Sequence, residues 1–399
     1  MNNRATLASF VRDFEKYGEQ TVVVSRNGLR LEATSYQALA SLAGRFSAAL
    51  EQRGVHKGDR VVLWGENSAA WMAAFFGCIL RGVLAVPLDV EGGPDLAARV
   101  AGDTKPKLIV GDTTRLAALA ATVPRIAFED FPSQLALIQN LEPEATLHRD
   151  DPFQIIFTSG TTGTPKGVVH THANVLASVA PIEQEVTKYL KYERPFHPIR
   201  FLHTLPLSHV FGEFMGLWIP PLLAAEVHFE TRLAASRLIG RIHSERISVL
   251  AAVPRVLDLL RDHLLHVFPD LPARLDRSEG SSAWKRWWLF RDVHRLFGFK
   301  FWSLVCGGAA LSTHTESFWR NHGFVVVQGY GMTETTALIS LNHPFHASHG
   351  TVGKVLPGRE IRIAEDGEVQ VRGETISNLS WQNGRLEHSG SEWLPTGDL

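Results

Sequence analysis

The chain has 399 residues, 45% of them hydrophobic and 20% charged, and a formal net charge of -1. That length exceeds one ordinary compact core and predicts two or three domains or subdomains. The near-zero charge gives no electrostatic footprint for nucleic acid. The two cysteines, Cys78 and Cys306, each lie in an apolar run, which argues against a disulfide framework and suits a reducing compartment.

The N-terminus, Met1 to Arg4, soon meets Asp13, Glu15 and Lys16, with no signal-peptide core between. The longest apolar stretches are Ala69 to Leu80, stopped by Arg81, and Phe214 to Ala225, which contains Pro220 and Pro221. Neither reads as a membrane span, so a cytoplasmic protein is expected.

In chain order, Ser35 is placed to cap a helix whose Leu39, Leu42, Ala43, Phe46 and Leu50 recur at helical spacing. Gly54 and Gly58 break it, and Arg60 to Trp64 reads as a buried strand. Ser68 opens a second helix that Gly82 ends, followed by strands over Val83 to Val86 and Leu108 to Val110. The pattern returns with a strand over Ile247 to Val253 and a helix opened by Pro254, with Val256, Leu259, Leu260 and Leu264 on one face. Phe301 to Cys306 is a strand ended by Gly307 and Gly308. Thr313 and Glu316 are spaced as a capping box for the next helix, and Phe324 to Gln328 is a strand. Strands alternating with helices predict βαβ units and mainly parallel sheets. After about Asn342 short strands are punctuated by glycine; Val369 and Val371 alternate with Gln370 and Arg372, as in a half-exposed antiparallel strand. A small β subdomain is expected from there onward.

The most informative segment is Thr158, Ser159, Gly160, Thr161, Thr162, Gly163, Thr164, Pro165, Lys166, Gly167, set between a strand-like Gln154 to Phe157 and Val168-Val169. Its glycines let backbone N–H groups turn inward, hydroxyls add donors, and Lys166 supplies a point charge, which together suit a polyphosphate. It is not a Walker loop. Pro165 replaces the glycine before the lysine, and Gly167 replaces the metal-binding Ser or Thr. The chemistry therefore need not be γ-phosphate transfer.

This decapeptide resembles the signature loop of the adenylate-forming superfamily, which includes acyl-CoA synthetases, luciferases and peptide-synthetase adenylation domains. Three further segments match in the same order. Gly307 to Leu311 resembles the adenine-side turn, Gln328 to Thr335 the second signature, and Thr396 to Leu399 the ribose-binding segment. Gly58 to Val61 and Val86 to Leu88 match more loosely. The resemblance implies two stacked αβα subdomains with mainly parallel sheets plus a small distorted β-barrel. The expected divisions are 1–195 with the phosphate loop, 196–341 with the acyl pocket and adenine turn, and 342–399 ending at a hinge. A C-terminal lid domain would follow in the family, and a chain ending at Leu399 is expected to bind nucleotide and acyl-adenylate but to form adenylate poorly.

The same resemblance implies roles. Thr158 to Thr164 and Lys166 would cradle phosphates. Gly308, Ala309 and Ala310 would line one side of adenine, and Tyr330 would stack on it among Gln328, Gly329, Gly331 and Met332. Thr333 would donate to the α-phosphate, Asp398 would accept from the ribose, and Glu334 with Thr161 would hold Mg²⁺. ATP and coenzyme A are the implied co-substrates and a small carboxylic acid the substrate. Alone, Tyr330 fits a core aromatic and Glu334 a solvated charge; together at the carboxyl end of a parallel strand they fit a ligand site.

Leu205 to Gly212 resembles the acyl-CoA synthetase version of the substrate motif, and no aspartate stands there to pair an amino acid's ammonium. His209, Val210, Gly212 and Gly307 would line the acid site, with a medium- or long-chain fatty acid expected; His209 on its own also fits a satisfied core histidine. A carrier protein stays open as the acyl acceptor, as does an inactive ligand-binding module. Residues 284–299 mix Trp284, Trp287 and Trp288 with cations at roughly helical spacing, which fits either a packed helix or one meeting a membrane surface. His170 and His172, and the set His343, His346 and His349, come without cysteines or an acidic cluster at zinc spacing; a structural role is favoured for the first pair, and zinc is not expected at the second, which lies in a Pro-containing loop.

Overall fold

The computed structural model describes residues 4–27, 30–119, 122–139, 144, 146–158, 166–193, 196–278, 283–343 and 350–399. In chain order the strands are β1 Thr21–Asn27, β2 Arg30–Ser35, β3 Arg60–Trp64, β4 Leu84–Pro87, β5 Leu108–Gly111, β6 Arg125–Ala127, β7 Pro152–Thr158 and β8 Lys166–Thr171. The next are β9 Arg200–His203, β10 Glu226–Phe229, β11 Val249–Ala252, β12 Ser303–Cys306 and β13 Val325–Tyr330. Short strands follow: β14 Ser340–Leu341, β15 Lys354–Val355, β16 Arg359–Ile363, β17 Val369–Gly373, β18 Leu379–Gln382, β19 Arg385–His388 and β20 Leu394–Pro395.

They form three sheets. One has the order β19-β18-β8-β7-β4-β3-β5-β6, the second β15-β14-β13-β12-β11-β9-β10-β1-β2, and a small third β16-β17-β20. The centres of the two large sheets are parallel: β4, β3, β5 and β6 in one, β13, β12, β11, β9, β10 and β1 in the other. Burial alternates with period two on both faces. Val61 and Leu63 join one core and Val62 and Trp64 another, while Val249 and Ala251 separate from Leu250 and Ala252 in the same way. Side chains of both sheets meet in a shared central core, and outer helices cover the remaining faces.

The helix Ala69–Arg81 belongs to that central layer, and Trp71 through Arg81 are all buried. Its apolar character all round reflects burial between the sheets. Ser68 caps it by accepting from the Trp71 N–H, and Gly82 ends it in the left-handed conformation. Arg81 remains tolerable inside because it pairs with Glu51 and Glu144. Among the described residues no helix is long and apolar enough to cross a membrane.

Several expectations need adjustment. The helix Thr313–Asn321 is capped by Ser312, whose hydroxyl accepts from the Thr315 N–H. Glu316 instead takes the Gly350 N–H at 3.1 Å, so no capping box forms. On the helix Pro254–Val267 the inward face carries Val256, Leu257, Leu260 and Leu264, whereas Leu259 is exposed. No closed barrel forms among the described residues: β18 and β19 extend the first large sheet through Trp381 beside Gly167, and β14 and β15 extend the second. Strand pairing joins segments across each expected division: β1 lies parallel to β10, with Val23 opposite Val227, and β18 pairs with β8, with Trp381 opposite Gly167.

Candidate functional site

The phosphate-loop residues Ser159, Gly160, Thr161, Thr162, Gly163, Thr164 and Pro165 lie outside the described residues, but both flanks are described. β7 and β8 pair antiparallel with Thr158 opposite Lys166, so the segment is the connection of a hairpin. Lys166 is exposed at its mouth. Gly167 is there for packing: a Cβ would sit 2.6 Å from Ile155 and 2.9 Å from Trp381.

The second signature forms a tight turn at the carboxyl end of β13. Gly331 permits it, because a Cβ there would lie 2.1 Å from the Ala337 carbonyl oxygen. Thr336 and Ala337 both hold positive φ, at 48° and 80°, conformations that cost non-glycine residues about 1–3 kcal/mol each. Fastenings offset the cost. The Met332 N–H donates to the Thr335 hydroxyl at 3.0 Å, and the Thr336 hydroxyl reaches the Thr375 carbonyl at 2.9 Å. The Ser178 hydroxyl donates to the Thr336 carbonyl at 3.0 Å, and the Ser377 N–H donates to the Glu334 carbonyl at 2.7 Å. The Thr333 carbonyl accepts from His170 Nε2 at 2.7 Å. Thr333 and Glu334 themselves stay half-buried.

Tyr330 and Asp398 are brought together: the phenol donates to the carboxylate at 2.6 Å. Burial, then this carboxylate, pushes the Tyr330 hydroxyl above its ordinary pKa. Asp398 follows β20, and its carbonyl accepts the Val369 N–H at 2.9 Å. Gly307 follows β12, the parallel neighbour of β13, and is buried; Gly308, Ala309 and Ala310 are exposed beside it. Gln328, opposite Cys306, is buried under the turn, and Gly329 pairs with Leu341.

The acid-loop residues follow β9. Gly212 tolerates no side chain, since a Cβ would fall 1.9 Å from the Pro206 carbonyl oxygen. A Cβ on Gly307 would lie 3.0 Å from the Phe211 ring, so the acid loop and the adenine-side turn touch. Val210 opens the short helix Val210–Glu213 and packs on the central core. His209 is not a core histidine: its side chain is 53% exposed, and Nε2 lies 2.7 Å from Asp89 Oδ2. That hydrogen bond holds the Asp89 carboxyl below its ordinary pKa.

Sequence reading passed over four residues here. Asp89, after β4, holds His209 while also accepting the Glu91 N–H at 2.9 Å. Asn67, after β3, grips the acid loop twice, donating to the Leu205 carbonyl at 2.7 Å and accepting the Leu207 N–H at 2.9 Å. The available signal was a polar residue just beyond the carboxyl end of a parallel strand. Gln154 and Glu213 are buried beneath the site, and no local pattern distinguishes them.

His170 and His172 are fully buried, and burial lowers both to about 4, as expected of structural imidazoles. His343 Nε2 lies 3.5 Å from Glu185; His346 and His349 fall outside the described residues. Among the described residues no three His, Cys, Asp or Glu side chains are grouped to hold a metal ion. Glu334 is a single hard oxygen donor beside a ligand-facing turn, which fits Mg²⁺ held mainly by water and phosphate oxygens. Of residues 284–299, described side chains split. Phe290, Val293 and Phe297 are buried, Trp288 is half-exposed under the Arg291 guanidinium at 4.7 Å, and Phe299 is 83% exposed.

Two α/β sheets whose strand-end loops face each other, with a hydroxyl, a carboxylate and an aromatic on one turn, define a ligand-binding α/β protein of the nucleotide-binding type. The chain belongs to the AMP-binding enzyme family, whose model matches residues 10–378. Among relatives, the long-chain-fatty-acid–CoA ligase FadD15 of Mycobacterium bovis is 25% identical over 98% of this chain and 72% of its own length. A probable CoA ligase, CCL8, of Humulus lupulus is 28% identical over 82% and 56%. The N-terminal domain of FACL13 from Mycobacterium tuberculosis superposes with a TM-score of 0.75 at 22% identity, covering 99% of this chain and 96% of that one. The o-succinylbenzoate CoA synthetase of Bacillus subtilis, solved with its acyl-adenylate intermediate, gives 0.75 at 21%, covering 99% and 75%.

Proposed function

We propose that the chain activates a carboxylic acid as its acyl-adenylate at the expense of ATP. A carboxylate oxygen attacks the α-phosphorus, the bond from that phosphorus to the bridging oxygen of the β-phosphate breaks, and pyrophosphate leaves. No general base is needed, because the carboxylate is already ionised. Catalysis then consists of positioning and charge neutralisation. The reading is supported above all by the meeting of the acid loop, the Gly307 turn and the Thr333–Thr335 turn at the carboxyl ends of β9, β12 and β13.

Lys166 and the Thr158–Thr164 segment hold the phosphates in this reading. Tyr330 and Gly308 to Ala310 enclose the adenine, Asp398 takes the ribose, and the Thr333 hydroxyl meets the α-phosphate. Glu334 and Thr161 hold Mg²⁺, which when bound screens the triphosphate from the approaching carboxylate. His209, oriented by Asp89, faces the acid, with Val210, Gly212 and Gly307 beside it. The acid is a medium- or long-chain fatty acid and the acceptor coenzyme A, whose thiolate attacks the acyl carbonyl and releases AMP. Fatty-acid CoA ligases among the relatives support this choice, although neighbours of the same fold are named for benzoate and o-succinylbenzoate.

Thermal stabilisation by non-hydrolysable acyl-adenylate analogues tests the reading. A ligand at a hundredfold over its Kd should stabilise by about 2.7 kcal/mol. The palmitoyl or octanoyl form is expected to shift melting more than acetyl, benzoyl or aminoacyl forms. A benzoyl preference would refute the fatty acid and leave adenylation standing; no shift with any analogue or with AMP would refute adenylation itself. The exposed Phe299 and half-exposed Trp288 support a peripheral membrane contact at residues 284–299. Phe299→Ser with Trp288→Ser is expected to reduce co-sedimentation with anionic liposomes, and unchanged sedimentation would end that idea.

A further inference from the structure

Beneath the two ligand-facing loops runs a line of three polar side chains. Glu213 is the residue after Gly212 of the acid loop, and its Oε2 accepts from Gln154 Nε2 at 3.0 Å. The same Gln154 nitrogen lies 2.8 Å from His170 Nδ1. His170 Nε2 lies 2.7 Å from the Thr333 carbonyl oxygen. A carbonyl can only accept, so Nε2 carries the proton and Nδ1 is the acceptor for Gln154. The line therefore has one direction of donation through the imidazole and begins and ends on the two loops assigned to the acid and the nucleotide.

Gln154, His170 and Glu213 are 0%, 0% and 2% exposed. Gln154 and His170 are cross-strand partners in the antiparallel pair β7 and β8. An apolar pair would fill this position without cost. Instead three polar groups are buried, and Gln154 Oε1 and Glu213 Oε1 find no hydrogen-bond partner. Unpartnered buried oxygens are destabilising, so packing alone does not account for the choice. Burial lowers His170 to about 4 and raises Glu213 to about 8, so the line carries no net charge at neutral pH. A neutral, rigid prop is what the strained turn above it needs, with Thr336 and Ala337 at positive φ.

We propose that Gln154, His170 and Glu213 act as positioning residues, a relay that fixes the Thr333 carbonyl. Fixing that carbonyl presents the Thr333 hydroxyl and Glu334 carboxylate to the nucleotide and ties their orientation to the acid loop. The inference rests on the adenylation reading and adds to it residues that touch neither substrate.

Calorimetric Kd values for AMP and for a non-hydrolysable acyl-adenylate analogue, measured with the melting temperature of each variant, test it. A wild-type chain that binds neither ligand overturns the adenylation reading, whatever the variants do. Given wild-type binding, His170→Phe, which keeps volume and loses the N–H, is expected to weaken both ligands about tenfold well below its melting temperature. His170→Gln, whose amide can still reach the Thr333 carbonyl, and Glu213→Gln, which keeps the acceptor for Gln154, are expected within about twofold of wild type. A folded His170→Phe that binds like wild type, or a His170→Gln as weak as His170→Phe, overturns the relay. Should His170→Phe not fold, Gln154→Leu decides: folded and weaker supports it, folded and unchanged overturns it.

Discussion

The Tyr330 hydroxyl donates to the Asp398 carboxylate at 2.6 Å, joining β13 of a large parallel sheet to the end of the small β16-β17-β20 sheet. One carboxylate oxygen is taken by the phenol, and in the proposed adenylation the other would meet a ribose hydroxyl. The same bond would hold the ring for stacking on adenine. Tyr330→Phe keeps the ring and loses the anchor. A hydrogen bond of this half-exposed kind contributes about 1 kcal/mol, so AMP affinity should fall roughly fivefold. Calorimetric titration with AMP checks it; an unchanged Kd would show that the ring is positioned without Asp398.

The Asp89–His209 pair crosses between the loops of the two large sheets in the same fashion, but on the acid side. Being solvent-exposed, it should add well under about 1 kcal/mol to global stability. Its expected effect is orientation. Asp89→Ala should leave the Kd for AMP within about twofold and weaken an acyl-adenylate analogue by about three- to tenfold, because the imidazole loses its fixed direction. Equal losses for both ligands would mean that Asp89 supports the fold and not the acid side.

Much of this arrangement was legible in the sequence because it depends on local chemistry. Ser68 and Gly82 delimit their helix by capping rules, and the two-sided burial of Val61 to Trp64 follows from a continuous apolar run. The hydroxyl-, glycine- and lysine-rich segment carried the resemblance to the family whose model matches residues 10–378. What could not be read depends on pairing between distant segments. Nothing near Val23 signals that it lies beside Val227, and nothing near Gly167 signals Trp381; both pairings join distant segments, and no closed barrel forms among the described residues. Leu259 faces outward because an apolar residue near the edge of a helical stripe takes whichever side the neighbours leave open. Asp89, Asn67, Gln154 and Glu213 gained their roles only when three dimensions brought them to His209, Leu205 and His170.

The turn at Gly331 supplies a sharper test. A methyl there would meet the Ala337 carbonyl oxygen at 2.1 Å, a backbone atom that cannot swing aside. Gly331→Ala should therefore displace Thr333 and Glu334 and weaken AMP by more than about tenfold, with a loss of stability of roughly 1–3 kcal/mol. Gly240, inside the helix Ala235–Ser244, has nothing within 4 Å of its would-be Cβ. Gly240→Ala should stabilise by about 0.5–1 kcal/mol through helix propensity and leave AMP binding unchanged. Urea denaturation and AMP titration on the two variants settle both; equal behaviour would contradict the packing at Gly331.

Burial also sets how stability depends on pH. His170, His172, His203 and His322 are each lowered to about 4 by loss of hydration, against an unfolded value near 6.5. Between pH 6.5 and 4 the unfolded chain therefore binds protons that the native chain refuses, so stability must fall as the solution is acidified. Each histidine contributes a slope of up to about 1.4 kcal/mol per pH unit in that window. Glu213 acts in the opposite sense. Its carboxyl is raised from 4.5 to about 8, so its contribution is complete below 4.5 and is lost as pH rises through 8. Half of the unfolded imidazoles still bind a proton at about pH 6.5, so the four histidines outweigh one carboxyl until about pH 7, where stability is maximal, and above that the carboxyl dominates. Urea denaturation at about pH 5, 7 and 8.5 should show the middle value highest. Glu213→Gln should shrink the decline on the alkaline side while retaining the acid-side decline. His203→Gln should make the acid side shallower by the slope of one proton. A wild-type profile that is flat from pH 5 to 6.5 would mean that these imidazoles are protonated in the folded chain, and the neutral His170 that holds Thr333 would have to be abandoned with them.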